Sequence, residues 1–76
     1  MTRKEFLVEL ATILQVNAQE VNEQYVLKPG ALDSVAVLEV IALIDRAYSM
    51  TLPAEKLTAC RSAGDILQLI EGGKQG

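Results

Sequence analysis

The chain has 76 residues, a net charge of −3, a single cysteine and no histidine. That length allows one domain with a modest core. The mildly acidic balance argues against nucleic acid as a partner, because phosphate contacts need clustered Lys and Arg. A lone cysteine excludes an internal disulfide, and the absence of histidine excludes a Ser–His or Cys–His nucleophile and a histidine metal site. Half the residues are hydrophobic, yet only Phe6, Tyr25 and Tyr48 are aromatic. Leu, Ile, Val and Ala make up the rest, the palette of packed helices. Asp33, Glu39, Asp45 and Arg46 bracket or interrupt the longest apolar run, so it falls short of the ~18–20 residues of a membrane span. Met1-Thr2-Arg3-Lys4 is followed by no signal-peptide block, and the sequence reads as a cytoplasmic, monomeric protein without catalysis of its own.

In chain order, Thr2-Arg3-Lys4-Glu5 has the form of a capping box. Phe6, Leu7, Leu10, Ile13 and Leu14 follow at helical spacing, predicting a first helix over about 3–15. Residues 16–33 carry no such periodicity and contain Pro29-Gly30, which predicts a long ordered loop pinned to the core by Val21, Tyr25, Val26, Leu27 and Leu32. A connection of this length in so small a domain is either functional or a plain connector between two helices. A second helix is predicted over about 34–48 and a short third over 54–57, opened by Pro53. Ser62 and Asp65 repeat the capping-box pattern and start a last helix over about 63–71, followed by a solvated tail at 72–76. The expected fold is all-α: a small four-helix bundle of three main helices plus one short helix, with a long loop between helices 1 and 2, in a single domain over 1–76.

Placed at about 100° per residue, Val37, Val40, Ile41, Ile44, Ala47 and Tyr48 form the core stripe of the second helix, with Leu43 at its edge. Ser34, Glu39, Asp45 and Arg46 fall opposite. Three apolar residues lie outside the stripe: Val35, Leu38 and Ala42 line up among the charges, beside Ser34. Either the 16–33 loop covers that line, or it is an exposed apolar strip rimmed by Glu39 and Asp45 and suited to docking another protein. Ser34 has two readings of its own. Asp and Ser are the preferred N-caps, so Asp33-Ser34 before an apolar run is explained by capping alone. Alternatively Asp33 caps the helix and Ser34 keeps a free hydroxyl. That hydroxyl is no self-activated nucleophile, but it can accept a group from a separate enzyme. Cys60 reads as a small hydrophobe.

Gly30-Ala31-Leu32-Asp33-Ser34-Val35, opening a helix after a long loop, resembles the attachment site of acyl carrier proteins. The resemblance extends over nearly the whole chain. It implies that Ser34 carries a 4′-phosphopantetheine arm delivered from coenzyme A by a phosphopantetheinyl transferase, with Asp33 as the adjacent motif residue. It further implies that the arm's thiol, not Cys60, holds an acyl group as a thioester. The family's partner-recognition helix corresponds to residues 33–48, with Val35, Leu38 and Ala42 as its exposed apolar positions and Glu39 and Asp45 as charged ones. The implied partners are an acyl-loading ligase or acyltransferase and ketosynthase-type or other acyl-processing enzymes. Ala36 stands where housekeeping fatty-acid carriers have an acidic residue, and Arg46 offsets the helix's acidity. The Gly-x-Leu-Asp-Ser form is closer to specialised or D-alanyl and aminoacyl carriers. The resemblance therefore points to a specialised fatty-acid or polyketide-type pathway, with a D-alanyl or aminoacyl carrier as the alternative. A helical interaction module without a prosthetic group is the alternative of another class.

Overall fold

The computed structural model describes residues 2–28 and 30–73. Four α-helices make up the architecture: α1 over Arg3–Leu14, α2 over Ser34–Tyr48, α3 over Ala54–Thr58 and α4 over Ala63–Gly73. Among the described residues there is no strand, and the fold is a small all-α bundle.

Each helix begins and ends for local reasons. Thr2 Oγ1 accepts the Glu5 N–H at 3.1 Å while the Thr2 N–H donates to Glu5 Oε1 at 3.1 Å, so two of the N–H groups a helix start leaves free are satisfied. The Thr2 backbone N–H first, and the Thr2 side chain second, hold the Glu5 carboxyl below its usual pKa. Gln15 stops α1 in a left-handed conformation, φ 60°, and its N–H returns to the Ala11 and Thr12 carbonyls. Ser49 ends α2 in the same way at φ 54°. Pro53 precedes α3, where its fixed φ and missing N–H cost nothing. At α4, Asp65 N–H donates to Ser62 Oγ at 3.2 Å and Asp65 Oδ2 accepts from the N–H groups of Ser62 and Arg61.

The core gathers one face from each helix: Phe6 and Leu10 of α1, Val40 and Ile44 of α2, Leu57 of α3, Ile66 and Ile70 of α4, all fully buried. Phe6 also meets Tyr48 with ring centroids 6.0 Å apart, which fastens the start of α1 to the end of α2. Leu43 lies in the core proper, 2% exposed, while Ile41, Ala47 and Tyr48 are half-buried. The α2 stripe is thus rotated toward Leu43 relative to the sequence expectation; α1 lies on that side, with Glu9, Thr12 and Ile13 across a groove from Leu43.

The long connection departs from the expectation in two ways. It contains a turn of 3-10 helix over Ala18–Glu20, capped by Asn17 Oδ1. Its second half runs antiparallel to the start of α4: Leu27 N–H donates to the Arg61 carbonyl at 2.8 Å, Ala63 N–H to the Tyr25 carbonyl at 3.0 Å, and Gly64 N–H to the Glu23 carbonyl at 2.8 Å. Val26, expected as a core pin, is 66% exposed; its backbone bridges Ser62, and the extended geometry turns alternate side chains outward. Val21 is buried, and Tyr25, Leu27 and Leu32 pack partly against the core. The expected tail is also corrected. Gly72 and Gly73 complete the last turn of α4, where the Met50 methyl occupies the space a Cβ on Gly73 would need. Residues 74–76 lie outside the described set.

Candidate functional site

The start of α2 is set by the turn before it. Gly30 adopts φ 84°, a conformation costly for a residue with a Cβ, and Ala31 N–H closes the turn onto the Lys28 carbonyl at 2.9 Å. Leu32 then packs partly against the core, and Asp33 takes the extended N-cap conformation. Asp33 Oδ1 accepts the Ala36 N–H at 2.8 Å, and the Asp33 carbonyl accepts the Val37 N–H at 2.9 Å. Capping is therefore performed by Asp33. Ser34 is the first helical residue and is exposed, and its hydroxyl has no hydrogen-bond partner among the described residues.

The apolar line expected beside Ser34 is open to solvent. Val35 is 62% and Leu38 65% exposed, and Ala42, Glu39 and Asp45 are exposed with them. The 16–33 connection does not cover the line, because it is committed to the α4 start. A shallow groove of about 270 Å³ flanks Val35 and Glu39 on the α1 side, reaching Ile13 and Gln15. The residues singled out from sequence thus occupy one continuous exposed surface of α2. Ala36 is the exception on that turn: it is buried at 8% exposure and lines that shallow groove.

A second feature was not anticipated. Between α2 and α3 an apolar groove of about 450 Å³ opens at Ser34, walled by Leu32, Val37, Leu38, Ala54 and Thr58. The signal available in the sequence is the pair Ala54 and Thr58, two small residues four apart on one face of α3, which leave room against α2. Cys60 is partly buried, and its thiol donates to the Lys56 carbonyl at 3.3 Å. Burial, with the Asp65 carboxylate adding to it, pushes that thiol above the ordinary cysteine pKa, so it is a poor nucleophile. No helix among the described residues is long and apolar enough to cross a membrane.

A helical bundle that offers an uncommitted hydroxyl on a rigid helix end, with an apolar groove at its foot, has the form of a carrier rather than a catalyst. The sequence family described as phosphopantetheine attachment site matches residues 4–70, and the chain belongs to it. Its members are carrier proteins of the acyl carrier type, which bear a 4′-phosphopantetheine group for other enzymes and are not catalytic themselves. Comparison with curated proteins and with solved structures gave no match.

The surroundings of Ser34 fit such a group. The backbone N–H groups of Ser34 and Val35 have no protein acceptor among the described residues, and the start of a helix favours an anion such as a phosphodiester. The groove beside them is apolar and open at the surface, as a thin linear arm requires.

Proposed function

We propose that Ser34 is the residue that bears the 4′-phosphopantetheine arm, with Asp33 fixing the geometry of its helix end. The observation that supports this reading most is the division of labour at the α2 start: Asp33 Oδ1 takes the capping bond, leaving the Ser34 hydroxyl exposed and unpaired. When bound, the group supplies a terminal thiol that holds an acyl cargo as a thioester. The chain's own residues do the rest. Asp33 holds the first turn, the Val35–Leu38–Ala42 strip docks partner enzymes through a small apolar contact, and Glu39 and Asp45 steer partners with basic surfaces. A carrier must release each partner, so a small strip suits the task.

The partners on this reading are a phosphopantetheinyl transferase, an acyl-loading ligase or acyltransferase, and ketosynthase-type or other acyl-processing enzymes. The setting is a specialised fatty-acid or polyketide-type pathway in the cytoplasm. An exposed Arg46 within the recognition helix favours that setting over bulk fatty-acid synthesis, since it lowers the acidity of the docking face.

The test is an intact mass after incubation with coenzyme A and a broad-specificity phosphopantetheinyl transferase. The expected result is a gain of one phosphopantetheine that disappears in Ser34→Ala. A wild-type mass that does not change contradicts the proposal, and a gain that survives Ser34→Ala places the group elsewhere.

A further inference from the structure

The extended stretch from Tyr25 to Leu27 is paired on one side only. Leu27 N–H donates to the Arg61 carbonyl and Ala63 N–H to the Tyr25 carbonyl, so the antiparallel bridge between Val26 and Ser62 is closed by groups of their neighbours. In that register the N–H and carbonyl of Val26 itself point away from Ser62, along the opposite edge. Neither has a hydrogen-bond partner among the described residues. The Val26 side chain stands beside them, 66% exposed. An open edge of this kind is a template for a further extended chain.

The uncommitted charge next to this edge is positive, in a chain whose net charge is −3. Lys28, two residues on, and Arg61 line one recess of about 180 Å³. Both are exposed, and neither side chain has an ion-pair partner among the described residues. The carboxylates closest along the chain are engaged elsewhere, Glu23 with Arg3 and Asp65 with the N–H groups of Arg61 and Ser62. None of Val26, Lys28 and Arg61 lines the groove at Ser34.

We propose that the Val26 edge binds an extended, carboxylate-bearing segment of another protein, paired antiparallel with Val26. One residue of the incoming chain exchanges both backbone bonds with Val26, and a carboxylate two positions before it falls opposite Lys28 on the same face. Arg61 adds to the attraction. A second copy of this chain is not that occupant. Its ten carboxylate side chains all sit in helices, at a helix cap or in a turn, so no extended segment of it offers one. The pairing is short and the contact therefore weak, with a Kd of about 1 mM. It leaves Ser34 and the α2 strip open, so it adds a second contact surface to the Ser34 reading without resting on it.

The probe is a capped peptide, Thr-Asp-Thr-Val-Thr-Asp-Thr, titrated into the unmodified protein while backbone amide shifts are followed. The Val26 amide is expected to move downfield and saturate, with Leu27, Lys28 and Arg61 following. The same peptide N-methylated at its central valine lacks the donor for the Val26 carbonyl and should bind about fivefold more weakly. The Lys28→Gln/Arg61→Gln variant should bind the original peptide about three- to tenfold more weakly. Raising salt should act in the same direction, as the screening length falls from about 10 Å at 0.1 M to about 3 Å at 1 M. A peptide with lysine in place of aspartate should not saturate. Equal binding by the N-methylated or the lysine peptide overturns the proposal, and so do unmoved amides at Val26 and Lys28 or full affinity in the double variant. Edge amides that shift with protein concentration alone overturn it as well, by giving the edge to a second copy. No arm is loaded in this experiment, so its outcome and that of the Ser34 test are read separately.

Discussion

The Gly64 N–H donates to the Glu23 carbonyl at 2.8 Å, and a Cβ built on Gly64 would stand 2.6 Å from that same oxygen. The bond and the missing side chain are one arrangement: the long connection lies so close to the first turn of α4 that only glycine fits beneath it. It gives α4 an acceptor for one of its free N–H groups. It also fixes the turn at Glu23–Gln24 and the extended stretch from Tyr25 to Leu27 that leads to Lys28 and, through the following turn, to Asp33 and Ser34.

Gly64→Ala is therefore expected to destabilise the fold even though alanine is the better helix former by roughly 1 kcal/mol. The obstructing atom is backbone, so relief requires the connection to move and the bond to lengthen, an overpacking cost on the order of 1–3 kcal/mol. A domain of this size holds only ~3–5 kcal/mol in reserve. Urea unfolding of the variant should show a lower midpoint at unchanged slope. A midpoint equal to or above wild type would show that the contact is slack.

The two residues at the α2 start should separate cleanly. Asp33→Ala removes an N-cap acceptor whose bond to Ala36 N–H is 2.8 Å, and should cost about 1 kcal/mol. Ser34→Ala removes a hydroxyl with no partner and should stay within about 0.5 kcal/mol of wild type, as other surface substitutions do. Thermal or urea unfolding of the pair decides it. A Ser34→Ala loss as large as that of Asp33→Ala would make Ser34 a structural cap and weaken its case as the tether point.

Helices, caps and the exposed strip were readable from residue order because each depends on neighbours three or four positions away. Thr2 with Glu5, Ser62 with Asp65, and the line of Val35, Leu38 and Ala42 are all patterns of that kind. The connection was not readable in the same way. Its bonds pair residues 23–27 with 61–64, and nothing in either segment names the other. Tyr25-Val26-Leu27 looks like three apolar anchors, yet extended backbone sends Val26 outward while Tyr25 and Leu27 turn in. The close approach of the connection to the first turn of α4 follows from that long-range pairing, so it became visible only in three dimensions. The shift of the α2 core toward Leu43 has a similar origin, since it depends on where α1 lies.

Cys60 offers a chemical check on which thiol does the carrying. Its raised pKa comes first from burial and then from Asp65, so less thiolate is present at a given pH than for a free cysteine. Alkylation of the unmodified protein by iodoacetamide at pH 8 should be slow, and should rise to the rate of an ordinary thiol in denaturant. The linkage has a definite sign. A folded-state pKa raised above the unfolded value means the stabilisation is complete below the unfolded thiol's pKa and is lost as pH rises through the folded one. Mildly alkaline solution should thus lower stability in wild type more than in Cys60→Ala. Alkylation of native Cys60 at free-thiol rates would contradict the buried, proton-holding picture.

Leu38→Asp tests the docking strip against the core. Leu38 is 65% exposed, so a charge there should leave the bundle folded and helical by circular dichroism, with a stability change within about 0.5 kcal/mol. Leu43→Ala, further along the same helix and 2% exposed, should instead cost about 2–5 kcal/mol and approach unfolding. Function should divide the opposite way. An apolar anchor at the centre of a small contact commonly carries 1–2 kcal/mol or more of binding, so Leu38→Asp should lower kcat/KM for phosphopantetheine loading by roughly tenfold. Much of that loss should persist in high salt, because the contact removed is apolar rather than ionic, whereas any effect of Glu39→Gln should fade as salt is raised. A Leu38→Asp protein that unfolds would place Leu38 in the core, and one that loads at the wild-type rate would remove the strip from the docking surface used by the transferase.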